Sequence, residues 1–262
     1  MSMSKYYSYY THAGRISKTV ECFMYLSAAV FLFNACCPTI REFSWWKYVI
    51  NANTILLLFI NIGLMIVSWL NFVARGNKLA GCFDDAYGTS FALEPAKPGY
   101  YDNSIVEDPD LRFALNAYEC CFFSDTILEK QAIVILVKNL LIAVLFCVAI
   151  ALEYGHVVMT ILGLFIVIHY LRKLFVFFVV KTSLSGICGS FQAIFNTYKK
   201  TGQIDLQDVM LNMSNYETAM VWLGTVLSKK IYEKYNEELT NDWLAKQQVL
   251  VRPEDMIQSG DN

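Results

Sequence analysis

The chain has 262 residues, of which 56% are hydrophobic and only 17% charged, with a mean hydropathy of +0.39. That is more apolar mass than a water-soluble domain of this length carries, and it is gathered into four runs rather than spread at helical or strand period. The formal net charge of -2 names no charged partner, and no DNA or RNA polymer is expected.

Residues 1–18 are polar and aromatic, with Lys5, Arg15 and Lys18 and no acid. The first apolar run, Thr19–Cys37, ends in Asn34-Ala35-Cys36-Cys37-Pro38, a poor cleavage site. It reads as a retained first span that Pro38 stops. Trp45 and Trp46 follow in a short loop, where indoles favour the headgroup level of a bilayer. The second run, from Tyr48 to about Val73, carries Asn61 near its middle. An amide at that depth needs a partner, so Asn61 is either a bond to a neighbouring helix or a polar pore-lining position.

Residues 74–130 form the first large polar block, with Arg75 and Lys78 at its start and Glu107-Asp108-Pro109-Asp110 marking a turn. From Leu111 to Lys130 apolar residues recur near helical spacing, which predicts a helix feeding the next span. Residues 131–180 hold the longest apolar stretch, broken only at Tyr154-Gly155-His156. Each half exceeds the roughly 20 residues that cross a hydrocarbon core, so the two form an antiparallel hairpin like that of residues 19–73. Lys138 lies in the third run, and His169, Arg172 and Lys173 in the fourth. Charges there either snorkel to the interface or form an intramembrane polar site, with Lys138, His169 and Arg172 as its members.

Residues 181–262 are soluble in character. Ser185–Lys199 is predicted helical, Thr201-Gly202-Gln203 is a turn, and Tyr216, Met220, Leu223, Leu227, Ile231 and Tyr235 suggest one amphipathic helix. The tail from about Val251 reads as loose. The expected fold is an all-α integral membrane protein with four transmembrane helices in two hairpins, a cytoplasmic insert (74–130) and a helical cytoplasmic C-terminal region. Lysines and arginines collect at the N-terminus, at the ends of the insert and after the fourth run, so both termini and the insert are expected in the cytoplasm.

The eight cysteines fall mostly in apolar runs and read as buried reduced thiols. No phosphate-binding glycine loop, zinc-protease motif or nucleophile elbow occurs, so no catalytic residue, metal or cofactor is expected and the chain does not read as an enzyme. The acids Asp84, Asp85, Asp102, Asp108 and Asp110 cluster in the insert and read as solvated loop acids.

Several local features accompany this plan. Phe83-Asp84 stands in GCFDDAYG, Gly99-Tyr100-Tyr101-Asp102 follows, Asn116 to Lys130 precedes the third span, and Tyr198-Lys199-Lys200-Thr201-Gly202 follows the fourth. On these features and its span order the chain resembles the SMODS-associated four-transmembrane effectors of bacterial antiphage operons. The resemblance implies a multi-pass protein of the bacterial inner membrane that binds a cyclic oligonucleotide made on infection. As a homo-oligomer in the lipid bilayer it would then disrupt that membrane, causing abortive infection. A nucleotide ligand needs cations for phosphates and flat groups for bases. The ligand-binding candidates are Arg75, Lys78, Phe83, Asp84, Tyr100, Tyr101 and Arg112. A constitutive channel or transporter subunit, with Asn61, Lys138, His169 and Arg172 along its path, is the alternative.

Overall fold

A computed structural model of the chain describes residues 5–92, 103, 105–152, 157–223, 227 and 229–256. These residues form six α-helices: α1 (Lys5–Cys36), α2 (Trp46–Tyr87), α3 (Pro109–Leu152), α4 (Val157–Thr201), α5 (Leu206–Leu223) and α6 (Lys229–Leu250). Among the described residues there is no strand, only an isolated bridge between Val106 and Met256. The break at Tyr154-Gly155-His156 lies outside them.

Three helical segments, Tyr9–Asn34, Trp46–Tyr87 and Val167–Thr201, are long and apolar enough to cross a membrane. The apolar run beginning at Gln131 continues the helix that starts at Pro109, as the helical spacing from Leu111 suggested. The chain divides into two compact units, and α1, α2, α3 and α4 contribute residues to both.

One unit comprises Thr11–Leu70 and Ala132–Phe178. In α1 its buried residues include Ala13, Val20, Ser27 and Asn34; in α2 they include Trp46, Asn53, Ile60 and Val67. Both sets step by seven, the spacing of two helices that wind around each other with one seam inward. Half of the seam positions, Ala13, Ser27, Asn34 and Asn53, are small or polar, which lets the backbones come close. At Gly63 a Cβ would lie 2.5 Å from Val20 Cγ2, so only glycine fits there without a shift. At the end of the seam Trp46 Nε1 donates to Asn34 Oδ1 at 2.7 Å, and its ring meets Phe33 edge-on. Trp46 is therefore turned inward, while Trp45 stays half exposed. Phe31, Ile142, Val167 and Tyr170 make a further core, joined by Met24 and Ile50. Outward-facing positions, by contrast, are large and apolar: Leu26, Leu58, Phe59, Met65, Ile133 and Val134. A greasy exterior around a smaller, more polar seam is the arrangement lipid favours, since burial of apolar groups drives nothing there.

The other unit comprises Met1–Tyr10, Asn71–Gln131 and Val179–Asn262. Its centre is the first half of α3, buried on nearly every side from Leu111 through Leu128. Asp108 starts that helix: its Oδ1 accepts from Asp110 N at 2.9 Å, with Pro109 in the first helical position. The Glu107–Asp110 turn is thus a helix start. Tyr118 stacks on Phe191 with ring centroids 5.3 Å apart and meets the edge of Trp243 at 5.7 Å. Cys121 Sγ and Cys188 Sγ, both free thiols, lie 3.1 Å apart between α3 and α4.

Fully buried Asn103 ties this unit together. Its Nδ2 donates to Asn116 Oδ1 at 2.8 Å and to Glu119 Oε2 at 2.6 Å. Its Oδ1 accepts from Gln247 Nε2 at 2.6 Å and from Trp243 Nε1 at 3.3 Å. Asn116 Nδ2 donates in turn to Asp85 Oδ2 at 2.8 Å. Both donors and both acceptor directions of the Asn103 amide are used.

Two expectations are corrected here. Tyr216 to Tyr235 is not one helix: α5 ends at Leu223, α6 begins at Lys229, and Leu227 between them is not helical. The tail is not loose from Val251. Val251 is buried, Arg252 forks onto Asp255, and Tyr198 donates its hydroxyl to Asp255. Gly202, at φ +75, ends α4 as the turn reading placed it, and any side chain there would strike Arg252.

Asn103→Ala leaves several buried polar groups unpaired and is expected to cost about 1–3 kcal/mol, read as a lowered unfolding midpoint in detergent. Gly63→Ala is expected to lower that midpoint. Gly14→Ala, where nothing lies within 4 Å, is expected to leave it unchanged or raise it.

Candidate functional site

In the unit centred on α3, a pocket of about 510 Å³ opens between the last turns of α2, the start of α3 and one face of α5. Leu79 and Phe83 come from α2, Phe113 from α3, and Met210, Met213, Ser214, Glu217, Thr218, Val221 and Trp222 from α5. Phe83 stacks on Phe113 with centroids 4.5 Å apart, which fixes one wall as a flat aromatic surface. Trp222 and Val221 stand exposed on the other.

α2 carries Arg75 and Lys78 one turn back from the pocket. Arg75 is buried, and its Nε and Nη1 have no hydrogen-bond partner among the described residues. Lys78 Nζ donates to Tyr216 Oη at 3.2 Å and stands 5.4 Å from that ring's centre. The Tyr216 hydroxyl also bonds Ser124 Oγ at 2.9 Å, and burial pushes its phenol up. Glu217 is half-buried in the pocket wall. Desolvation by burial holds its carboxyl above the usual range, against the opposing pull of Lys78 and Arg75.

The other ligand candidates have structural partners. Asp84 caps the end of α2: its Oδ1 accepts from Thr89 Oγ1 and Phe91 N, both at 2.7 Å, and its Oδ2 from Ala92 N at 2.8 Å. Arg112 Nη2 donates to the Val106 carbonyl at 2.6 Å. The insert acids Asp85 and Asp110 are likewise engaged, Asp110 accepting from Tyr87 Oη at 2.8 Å. Asp102, Tyr100 and Tyr101 lie outside the described residues. Of the ligand candidates, then, the structure gathers Arg75, Lys78 and Phe83 near one pocket. It adds Glu217, Met213 and Trp222, which the sequence reading missed. Their signal is the apolar content of α5, larger than its one buried face requires.

In the other unit Asn61 stands apart from the remaining polar candidates. Asn61 is exposed and donates to the Leu57 carbonyl of its own helix at 2.8 Å; Asn34 and Asn53 occupy the seam instead. Lys138 is bonded to Glu21 and faces the Tyr25 ring at 5.5 Å. His169 sits edge-on to Tyr170, its buried Nε2 without a partner among the described residues. Lys173 stands over the Tyr170 ring at 5.7 Å, and Arg172 points outward. Glu21 and Lys173 are the unanticipated members; Glu21 is separated from Lys138 by 117 positions, so no spacing rule could find it. Among the described residues no three of His, Cys, Asp and Glu could together hold a metal ion.

No family model, curated protein or solved structure matches the chain.

Because the folded-state pKa of Glu217 is raised, its neutral form is favoured in the fold. That contribution is complete below the ordinary carboxyl value of 4.5 and is lost as pH rises through the raised value. Glu217→Gln, permanently neutral, is therefore expected to unfold at a higher temperature than the parent at pH 7, with the gap closing below pH 4.5.

Proposed function

We propose that the chain is a membrane effector of the SMODS-associated four-transmembrane kind. In this reading it crosses the bacterial inner membrane four times, through residues 19–37, 48–73, 131–152 and 157–180. Both termini and the insert face the cytoplasm. A cyclic oligonucleotide made on infection binds the cytoplasmic helical unit, and the oligomerised spans then disrupt the membrane. We assign no catalytic step to it.

The observation that carries the reading is the pocket. Its stacked Phe83–Phe113 wall and Trp222 suit the face of a base, and Arg75, buried with two unpaired nitrogens, supplies charge one turn away. The apolar lining makes it a place for bases more than for phosphates, so the phosphates belong toward Arg75 and Lys78. The helices that bear these residues, α2 and α3, also run into the unit with the lipid-like exterior. A shift of those helices on ligand binding is thus a route to the spans.

The second reading, a constitutive channel or transporter subunit, draws on the Glu21, Lys138, His169 and Lys173 group. Purified protein in dye-loaded vesicles separates the two. Leakage is expected only on adding cyclic di- or trinucleotides, and Phe83→Ala and Arg75→Ala are expected to raise the nucleotide concentration needed at least tenfold. Leakage without nucleotide favours the channel; vesicles that stay sealed with every nucleotide sink the effector reading.

A further inference from the structure

The unit of α1 to α4 segments 11–70 and 132–178 holds more positive charge at one level than it neutralises. Lys138 lies six residues inside the unit from Ala132 on α3, and Arg172 six residues inside from Phe178 on α4. At 1.5 Å per residue both are about 9 Å in. Three cations, Lys138, Arg172 and Lys173, therefore share that level, and the acid bonded there is Glu21, taken up by Lys138. Glu21 also acts electrostatically on Lys173, so three cations share one acid and the level carries an excess of two positive charges among the described residues.

The surroundings indicate what neutralises them. Arg172 stands on the outer face of α4 among exposed Ile168, Leu171 and Phe175, with no hydrogen bond or ion pair to a described residue. One turn apart on α4, His169 and Lys173 share a face. The buried Nε2 of His169 has no partner there, and Lys173 has the Tyr170 ring beneath it. A guanidinium on an apolar, lipid-facing surface needs an anion that lipid itself brings. The planar fork of arginine matches two oxygens of one phosphate, and an adjacent ammonium adds point charge.

We propose that Arg172 and Lys173, with His169 beside them, form a binding site for the phosphate of an anionic phospholipid headgroup. The site rests on the reading of this unit as lipid-embedded and is independent of any nucleotide trigger. An anionic headgroup answers the surplus; a zwitterionic one brings its own cation and does not. Basic pockets between spans near the cytoplasmic side are where such headgroups collect.

The test uses the full chain in mild detergent, with native mass spectrometry to count bound lipid and thermal unfolding to read its effect. Phosphatidylglycerol is expected to stay bound and raise the unfolding midpoint; phosphatidylcholine and inorganic phosphate are expected to do neither. R172Q with K173Q is expected to lower phosphatidylglycerol retention at least tenfold. Arg172 is exposed and Lys173 half-buried, so R172Q alone, which should fold, is the second variant and is expected to lower retention in the same direction. Glu21→Gln, which removes the opposing acid, is expected to increase retention, the direction a merely damaged protein would not show. Equal retention in the R172Q K173Q variant, or equal retention of phosphatidylcholine, overturns the site. A midpoint shift with inorganic phosphate alone assigns it to a free ion and overturns the lipid. Recovery of the chain in water without detergent overturns the membrane reading itself, and the site with it.

Discussion

One amide holds the helical unit to its shape. Asn103 lies in an interior otherwise filled by Tyr118, Phe122, Phe191 and Trp243, where an unpaired amide would be costly. It is tolerable because every hydrogen-bonding direction is met, two by α3 and two by α6. Asn116 passes the chain of bonds on to Asp85 of α2. Three helices are thereby fixed in rotation as well as in distance, since apolar packing alone permits sliding that hydrogen bonds do not. The stacked pair Phe83 and Phe113, which makes the pocket wall, comes from the same stretches of α2 and α3 that this network joins. The pocket is therefore a product of that network.

The two units solve opposite problems with the same element. Around α3 the large apolar groups face inward, and the Asn103 network pairs its polar groups, while Arg75 and Arg112 keep buried nitrogens without a partner among the described residues. In the unit containing the α1–α2 seam, the small and polar groups Ala13, Ser27, Asn34 and Asn53 share the interior with Phe31, Trp46 and Tyr170, while many other large apolar groups face out. Water drives the first arrangement. Close backbone approach, as at Gly63 and Val20, and a few polar contacts such as Trp46 to Asn34 sustain the second.

Much of this was readable in residues. The apolar runs, the stop at Pro38, the turn at Gly202 and the helix from Leu111 follow from composition and local stereochemistry. The seven-residue seam was hidden because the outer faces of these helices are apolar too, so hydropathy carries little period; the mark of the seam is Ala13, Ser27 and Asn34, small or polar, in step with Val20. Asn61 drew attention by its central position, yet its own backbone satisfies it. The partnerships that matter most, Asn103 with Gln247 and Lys138 with Glu21, join positions more than a hundred residues apart, and no local rule reaches them. Arg75 and Lys78 were visible as cations. Their neighbours on α5 were not, because Glu217 and Trp222 sit in a stretch whose periodicity described only its buried face.

The outward-facing grease of the seam unit has a calorimetric consequence. Heat-capacity change on unfolding tracks the apolar area newly given to solvent. On the membrane reading, helices bathed in hydrocarbon on their broad faces have little left to release when they part. The heat-capacity step of the whole chain should then come almost entirely from the part built around Tyr118 and Trp243, and a scan in detergent would register a protein far smaller than its mass.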